Sequence, residues 1–126
     1  MDEVRARVMP EHDDETACEI GVDNFATAMR AKLAEARAKG RNGWNVPEEC
    51  SLRNLADSLL NAVIAGDLIS ISNYAMMLHQ RDPDVAGKII RRAFAEAATQ
   101  YTGAALDHII EANDNKRIDR ILGATW

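Results

Sequence analysis

The chain has 126 residues, 47% of them hydrophobic and 28% charged, with a formal net charge of −5. That length fits one domain and leaves no room for a second core of ordinary size. The composition excludes a disordered chain, and no apolar run approaches the roughly 20 residues a membrane helix needs. Residues 1–22 hold seven acids against two bases, while residues 23–126 balance at thirteen of each. A nonspecific nucleic-acid binder needs a basic excess, and a DNA mimic needs carboxylates over its whole surface, so neither is expected.

The opening Met1-Asp2-Glu3-Val4-Arg5 has neither the apolar stretch nor the small-residue site of a secretory signal, which makes a cytoplasmic location the expectation. Residues 1–22, with Pro10, the Asp13-Asp14-Glu15 run and Gly21, read as a mobile acidic leader with one helical turn near 14–20. A single helical domain is then expected over 23–126. Its first helix starts at Asp23 or Asn24, carries Phe25, Met29, Leu33 and Ala36 on one face, and stops at Gly40. Residues 41–49 form a turn-rich loop around Gly43, Trp44 and Pro47.

Ser51 caps the next helix, whose Leu52, Leu55, Ala56, Leu59, Leu60, Val63 and Ile64 trace an amphipathic stripe up to Gly66. Asp67 caps another that runs to Arg81 and is apolar almost all round, which suits the middle of a bundle. Asp82-Pro83-Asp84 breaks and restarts the chain, because proline fits a helix's first turn. Ala86, Ile90, Phe94, Ala97 and Tyr101 continue on one face, Gly103 marks a bend or break, and a short helix is expected over about Asn115 to Leu122. The fold expected is all-α, a compact bundle of four to five helices.

Candidate chemistry is sparse. Metal-dependent phosphate chemistry needs acids on the inner faces of two helices, and helix 52–65 offers only Asp57 while helix 68–81 has none. Glu15 and Glu19 suit a ligand pair only if the leader orders itself over the core. Cys18 and Cys50 stand apart without ligand spacing and read as reduced thiols; His12, His79 and His108 form no i, i+4 pair. No nucleophile elbow, phosphate loop or Cys-His pattern is present, so no catalytic residue, metal or cofactor is assigned. His79, near a helix C-terminus, suits a dipole role.

The remaining cluster is Arg30, Lys32, Arg37, Lys39 and Arg41, leading into Gly43 and Trp44. Charge, turn amides and a flat ring together suit phosphate and base stacking. The structural alternative, which we prefer, has the bases complement the helix C-terminus while Trp44 anchors its loop in the bundle. Lys88, Arg91 and Arg92 make a second basic face, solvated or paired with acids of a partner.

The run Phe25-Ala-Thr-Ala-Met-Arg-Ala-Lys-Leu-Ala-Glu-Ala-Arg-Ala-Lys-Gly-Arg-Asn-Gly-Trp44, with Pro47, Cys50-Ser51, Leu55, Leu59, Gly66-Asp67 and Asn73-Tyr-Ala-Met-Met-Leu-His79, resembles a module of tailed-phage and prophage proteins. In that family a basic helix leads into Lys-Gly-Arg-x-Gly-Trp, a Pro-x-x-Cys-Ser step, a leucine helix, Gly-Asp and a Met-Met-Leu-His phrase. The likeness covers about residues 25–81. The module also occurs appended to phage MazG-like nucleotide pyrophosphohydrolases, but their Glu-Glu-x-x-Glu and Glu-x-x-Asp motifs are missing from this sequence, so that activity does not transfer. Ala65, Leu68 and Ser70 stand where the family pattern has lysine, proline and aspartate, which weakens any charge-based role for the Gly-Asp turn.

The resemblance implies a phage or prophage accessory protein. With no catalytic motif in the sequence, the expectation is a non-enzymatic protein that binds a host or phage protein, with interference in a host defence system as its use. Candidate contact residues are Arg37, Lys39, Arg41, Trp44, His79, Lys88, Arg91 and Arg92. The Ala-rich long helix with Ala93, Ala95, Ala97, Ala98, Ala104 and Ala105 permits close helix approach and suggests a homodimer. The alternative is a nucleotide- or nucleic-acid-binding module built on the basic Gly-Trp loop, and a metal-dependent nucleotide hydrolase using Glu15 and Glu19 is a third reading.

Overall fold

The computed structural model describes residues 13–100 and 103–114, and these form five helices with no strand among them: α1 (Asp14–Ala38), α2 (Leu52–Ala65), α3 (Leu68–Arg81), α4 (Pro83–Gln100) and α5 (Gly103–Asp114). The all-α bundle expected from the periodicity is the fold observed. No helix of the described residues is long and apolar enough to cross a membrane.

Local chemistry sets the helix ends. Ser51 Oγ accepts the Asn54 amide at 3.0 Å, Asp67 Oδ1 accepts that of Ser70 at 3.2 Å, and Asp82 Oδ1 accepts that of Val85 at 3.1 Å, each satisfying an orphan donor of a first turn. At the end of α1 the Gly40 amide donates to Arg37 O and the Arg41 amide to Ala36 O, both at 2.9 Å, with Gly40 at φ +85°. The end of α2 repeats the motif: Gly66 donates to Val63 O, Asp67 donates to Ala62 O, and Gly66 has φ +72°. Only glycine adopts this left-handed turn without strain, so both helices stop where the sequence places one.

The start of α1 differs from expectation. Residues 14–22, taken above as part of a mobile leader, are helical and continuous with the rest of α1. Asp13 Oδ1 accepts the Thr16 amide at 2.7 Å, and Asp14 and Glu15 set negative charge against the positive end of the helix dipole. The acidic run is therefore a cap and first turn. Gly21 inside the helix costs about 1 kcal/mol relative to alanine, which neighbouring good helix formers offset. Residues 1–12, and the helix expected over Asn115 to Leu122, lie outside the described residues.

α2 and α3 form the central pair; α2 also packs on α4 and α5, and α3 on α1 and α4. Their contact buries Leu55, Leu59, Ala62, Tyr74, Met77 and Leu78, with Cys50 and Ala86 closing the cluster. Each large apolar side chain removed from water here contributes roughly 1.5–3 kcal/mol. On α4 the face against the core is Ala86, Ile90 and Ala93, whereas Phe94, expected on that face, is 61% exposed. Ala93 holds the place on that stripe, and Phe94, one residue on, lies about 100° further round the helix and faces outward. The break expected at Gly103 falls where α4 ends and α5 begins.

A basic cleft beside the Gly-Trp loop

Residues 40–51 lead from α1 to α2 as a loop tied down at several points. The Val46 amide donates to Gly43 O at 3.0 Å, and those of Glu49 and Cys50 donate to Val46 O at 2.9 and 3.0 Å. Gly43 has φ +88°, a left-handed backbone that strains any other residue, and a Cβ there would also displace the Glu49 carboxylate, whose Oε1 lies 2.5 Å away. Arg81, from the last turn of α3, completes the fastening: its Nη1 donates to Trp44 O at 2.6 Å and to Cys50 O at 2.8 Å. These are charge-assisted bonds to carbonyls that have left any helix, and they hold the middle of the loop and its far end to the bundle.

The loop so held forms one wall of a cleft of about 160 Å³ lined by Leu33, Arg37, Arg41, Asn42, Gly43, Trp44 and Asn45. Trp44 is half-buried and packs against the core, so it both anchors the loop, as expected, and lines the cleft. Arg37 and Arg41 make no ion pair or side-chain hydrogen bond with the described residues. Two guanidinium groups beside an indole and a leucine can take a carboxylate or other anion with an apolar neighbour.

The other sequence candidates separate from this cleft. Lys39 caps α1 and pairs with Glu35 at 3.4 Å on the surface. Lys32, one of the basic cluster, is drawn across to Asp67 at 3.3 Å and ties α1 to the start of α3. His79 is exposed, its Nδ1 3.3 Å from Gln80 Nε2, and does not line the cleft. Lys88, Arg91 and Arg92 are exposed on α4. Beside them Glu96 accepts from Arg53 at 2.6 Å, and Arg53 also meets Asp57 at 3.0 Å. That network sits over a second cavity of about 190 Å³ between α2 and α4, where both acids and the arginine are already paired with one another.

Two further residues bear on chemistry. Burial raises the Cys50 thiol above its ordinary pKa, with the Arg81 charge opposing, so it stays protonated at neutral pH and is a poor nucleophile. Burial alone would raise the Asp67 carboxyl, but the Ser70 hydroxyl and amide and the Lys32 ammonium outweigh it and hold the carboxyl below the usual range. Among the described residues no group of three or more His, Cys, Asp or Glu side chains could hold a metal ion, and Glu15 and Glu19 lie on α1.

Sequence reasoning missed Arg81. A signal existed: position 81 follows Tyr74, Met77 and Leu78 at steps of seven, four and three, which places its side chain on the face those core residues share. In comparisons with protein-family models, curated proteins and solved structures, the chain matches no family model, no curated protein and no solved structure.

Proposed function

We propose that this chain is a small accessory protein that acts by binding another protein, without catalysis, through the cleft beside Trp44. Arg37 and Arg41 flank Leu33 and Trp44 on a loop fastened by Arg81, and neither guanidinium has an ionic partner among the described residues; that observation carries the reading. Arginine and tryptophan are the types most enriched at the energetic centres of protein interfaces. Size points the same way: about 160 Å³ holds one or two side chains, whereas small-molecule sites span roughly 300–1,000 Å³. The formal charge of −5 opposes nucleic acid at long range. The partner surface is therefore an acidic side chain set beside an apolar one. The phage resemblance of residues 25–81 supplies the setting: a host or phage protein in the bacterial cytoplasm, with interference in a defence system as the use.

A photo-crosslinking residue at Asn42, exposed on the cleft rim, would capture the partner in bacterial cells for identification by mass spectrometry. The purified partner is then titrated against the wild-type chain and the double variant Arg37→Glu/Arg41→Glu. Affinity is expected to fall at least about tenfold at unchanged melting temperature, as for truncation of a charged interface anchor. Equal affinity for the variant, or tight and steeply salt-dependent binding of nucleotides or DNA by the wild type, would overturn the reading.

A further inference from the structure

Two helix faces stand open on the described bundle. On α1 the apolar residues Cys18, Val22 and Phe25 recur at steps of four and three, the spacing with which one helix meets another. Cys18 is exposed, Val22 is 67% exposed and Phe25 37%. Cover begins at Met29, whose carbonyl accepts from Asn73 Nδ2 at 3.3 Å, and continues through Leu33 and Ala36. On α4 Gly87, Arg91, Phe94 and Ala98 recur at steps of four, three and four, about a quarter turn round the helix from the buried Ala86 and Ala93. Phe94 is 61% exposed, and Arg91 and Ala98 are exposed. A Cβ built on Gly87 would meet only Arg91 Nη1, at 3.9 Å, so the stripe has a notch about two turns before the Phe94 ring.

Charge indicates what covers them. Glu19, Asp23 and Arg30 follow one another along one flank of the α1 seam, and Asp84, Lys88 and Arg91 along the matching flank of the α4 stripe. None of the six is in an ion pair with a described residue, unlike Lys32, Lys39, Arg53 and Glu96. Taken in opposite chain directions, the first flank presents acid, acid, base and the second base, base, acid. The apolar parts match as well, with a ring on each face and a notch on one. Both faces are open within one chain, so the contact that joins them is one between copies.

We propose that α1 of one copy of this chain docks antiparallel on α4 of a second copy, and the second copy's α1 on α4 of the first, so that two equivalent contacts close a two-fold dimer. Phe25 enters the notch at the partner's Gly87, Cys18 lies level with the partner's Phe94, and Val22 fills the interval between them. Glu19 then reaches the partner's Arg91, Asp23 the partner's Lys88, and Arg30 the partner's Asp84. The first turn of α1 comes level with the last turn of α4, which sets unlike ends of the two helix dipoles side by side. A parallel pairing would turn the acidic flank away from the bases. The docked stretch of α4 covers α1 from Asp14 to Ala28 and stops before Met29, so the face packed on α3 is left as it is. Neither face includes a residue that lines the Gly-Trp cleft, so the fate of either proposal leaves the other standing.

Sedimentation of the full chain from low to high micromolar concentration tests this. The wild type is expected to show a reversible monomer–dimer equilibrium with nothing larger, and Val22→Asp and Phe94→Asp each to be monomeric with unchanged helix content. An equimolar mixture of those two variants should dimerise again at the highest concentrations, because the unaltered α1 of one chain meets the unaltered α4 of the other and restores one of the two contacts. Pairing of α1 with α1, or of α4 with α4, gives no such rescue. Glu19→Arg and Arg91→Glu singly should weaken the dimer at least about tenfold, and the two together should recover most of that loss, as coupled neighbours do. A chain monomeric throughout, assembly beyond a dimer, a Val22→Asp or Phe94→Asp variant that dimerises like the wild type, a mixture no more associated than its components, or a double reversal no better than the singles would each overturn the proposal.

Discussion

Replacing Arg81 with methionine keeps most of the side chain's apolar volume and removes both bonds to the loop. Each is a short, charge-assisted contact to a backbone carbonyl, at 2.6 Å to Trp44 O and 2.8 Å to Cys50 O. Hydrogen bonds to charged groups are worth about 1.5–3 kcal/mol each, and because Arg81 is half-buried the freed carbonyls regain some water. The combined loss should be about 2–4 kcal/mol, or a fall in melting temperature on the order of 10 °C for a domain of this size. Arg81→Lys retains a charge but loses the planar fork, and should recover about half of the loss. Differential scanning calorimetry measures the shift, and amide exchange at Val46, Glu49 and Cys50 locates it, since these amides close the loop turns. Partner affinity should also drop, although Arg81 does not line the cleft, because the wall bearing Trp44 would no longer be fixed. If Arg81→Met melts within about 1 °C of the wild type with loop exchange unchanged, the fastening has been assigned to the wrong side chain.

The Asp67 carboxyl is depressed in the folded chain, so the stability it contributes is complete above the unfolded carboxylate pKa of about 3.9 and is lost as pH falls through its lower folded value. Urea unfolding across the acid range should show the gap between wild type and Asp67→Asn narrowing below about pH 4; a gap constant with pH would remove the carboxylate from the account. Ser58 is fully buried, and its hydroxyl finds no hydrogen-bond partner among the described residues. Ser58→Ala should therefore stabilise the chain by about 0.5–1 kcal/mol, and a lower melting temperature in that variant would show that the hydroxyl is satisfied after all. With a thiol reagent at neutral pH, Cys18 should react at once and Cys50 only on unfolding, in keeping with the exposure of one and the burial and raised pKa of the other; two fast thiols would contradict the packing.

Most helix boundaries were legible because each is decided within a few residues. Ser51, Asp67 and Asp82 open helices, and Gly40 and Gly66 close them, through bonds to backbone groups no more than five positions away. The start of α1 was just as local, with Asp13 as cap and Asp14 and Glu15 in the first turn, but a run of acids reads equally as a solvated leader until the helix that follows it is seen. The cleft was half visible. Arg37, Arg41 and Trp44 lie close in sequence on a helix end and its loop, so their grouping needed no long-range information.

What the sequence alone determined, then, is the three helices between Ser51 and Gln100, their caps, the end of α1 and the basic loop, all consequences of contacts made along the chain. The tertiary structure decided the rest. Arg81 meets Trp44 across 37 positions, and Lys32 meets Asp67 across 35. Which basic residue is held inside the molecule and which is left for a partner depends on how α3 lies across α1. The same holds for α4, where Ala93 is buried in place of Phe94: packing decides which stripe of the helix the bundle covers, and Phe94 lies about 100° round from Ala93. Periodicity ranks residues by their affinity for water, whereas a packed interface admits them by shape, and shape is set only once two helices have met.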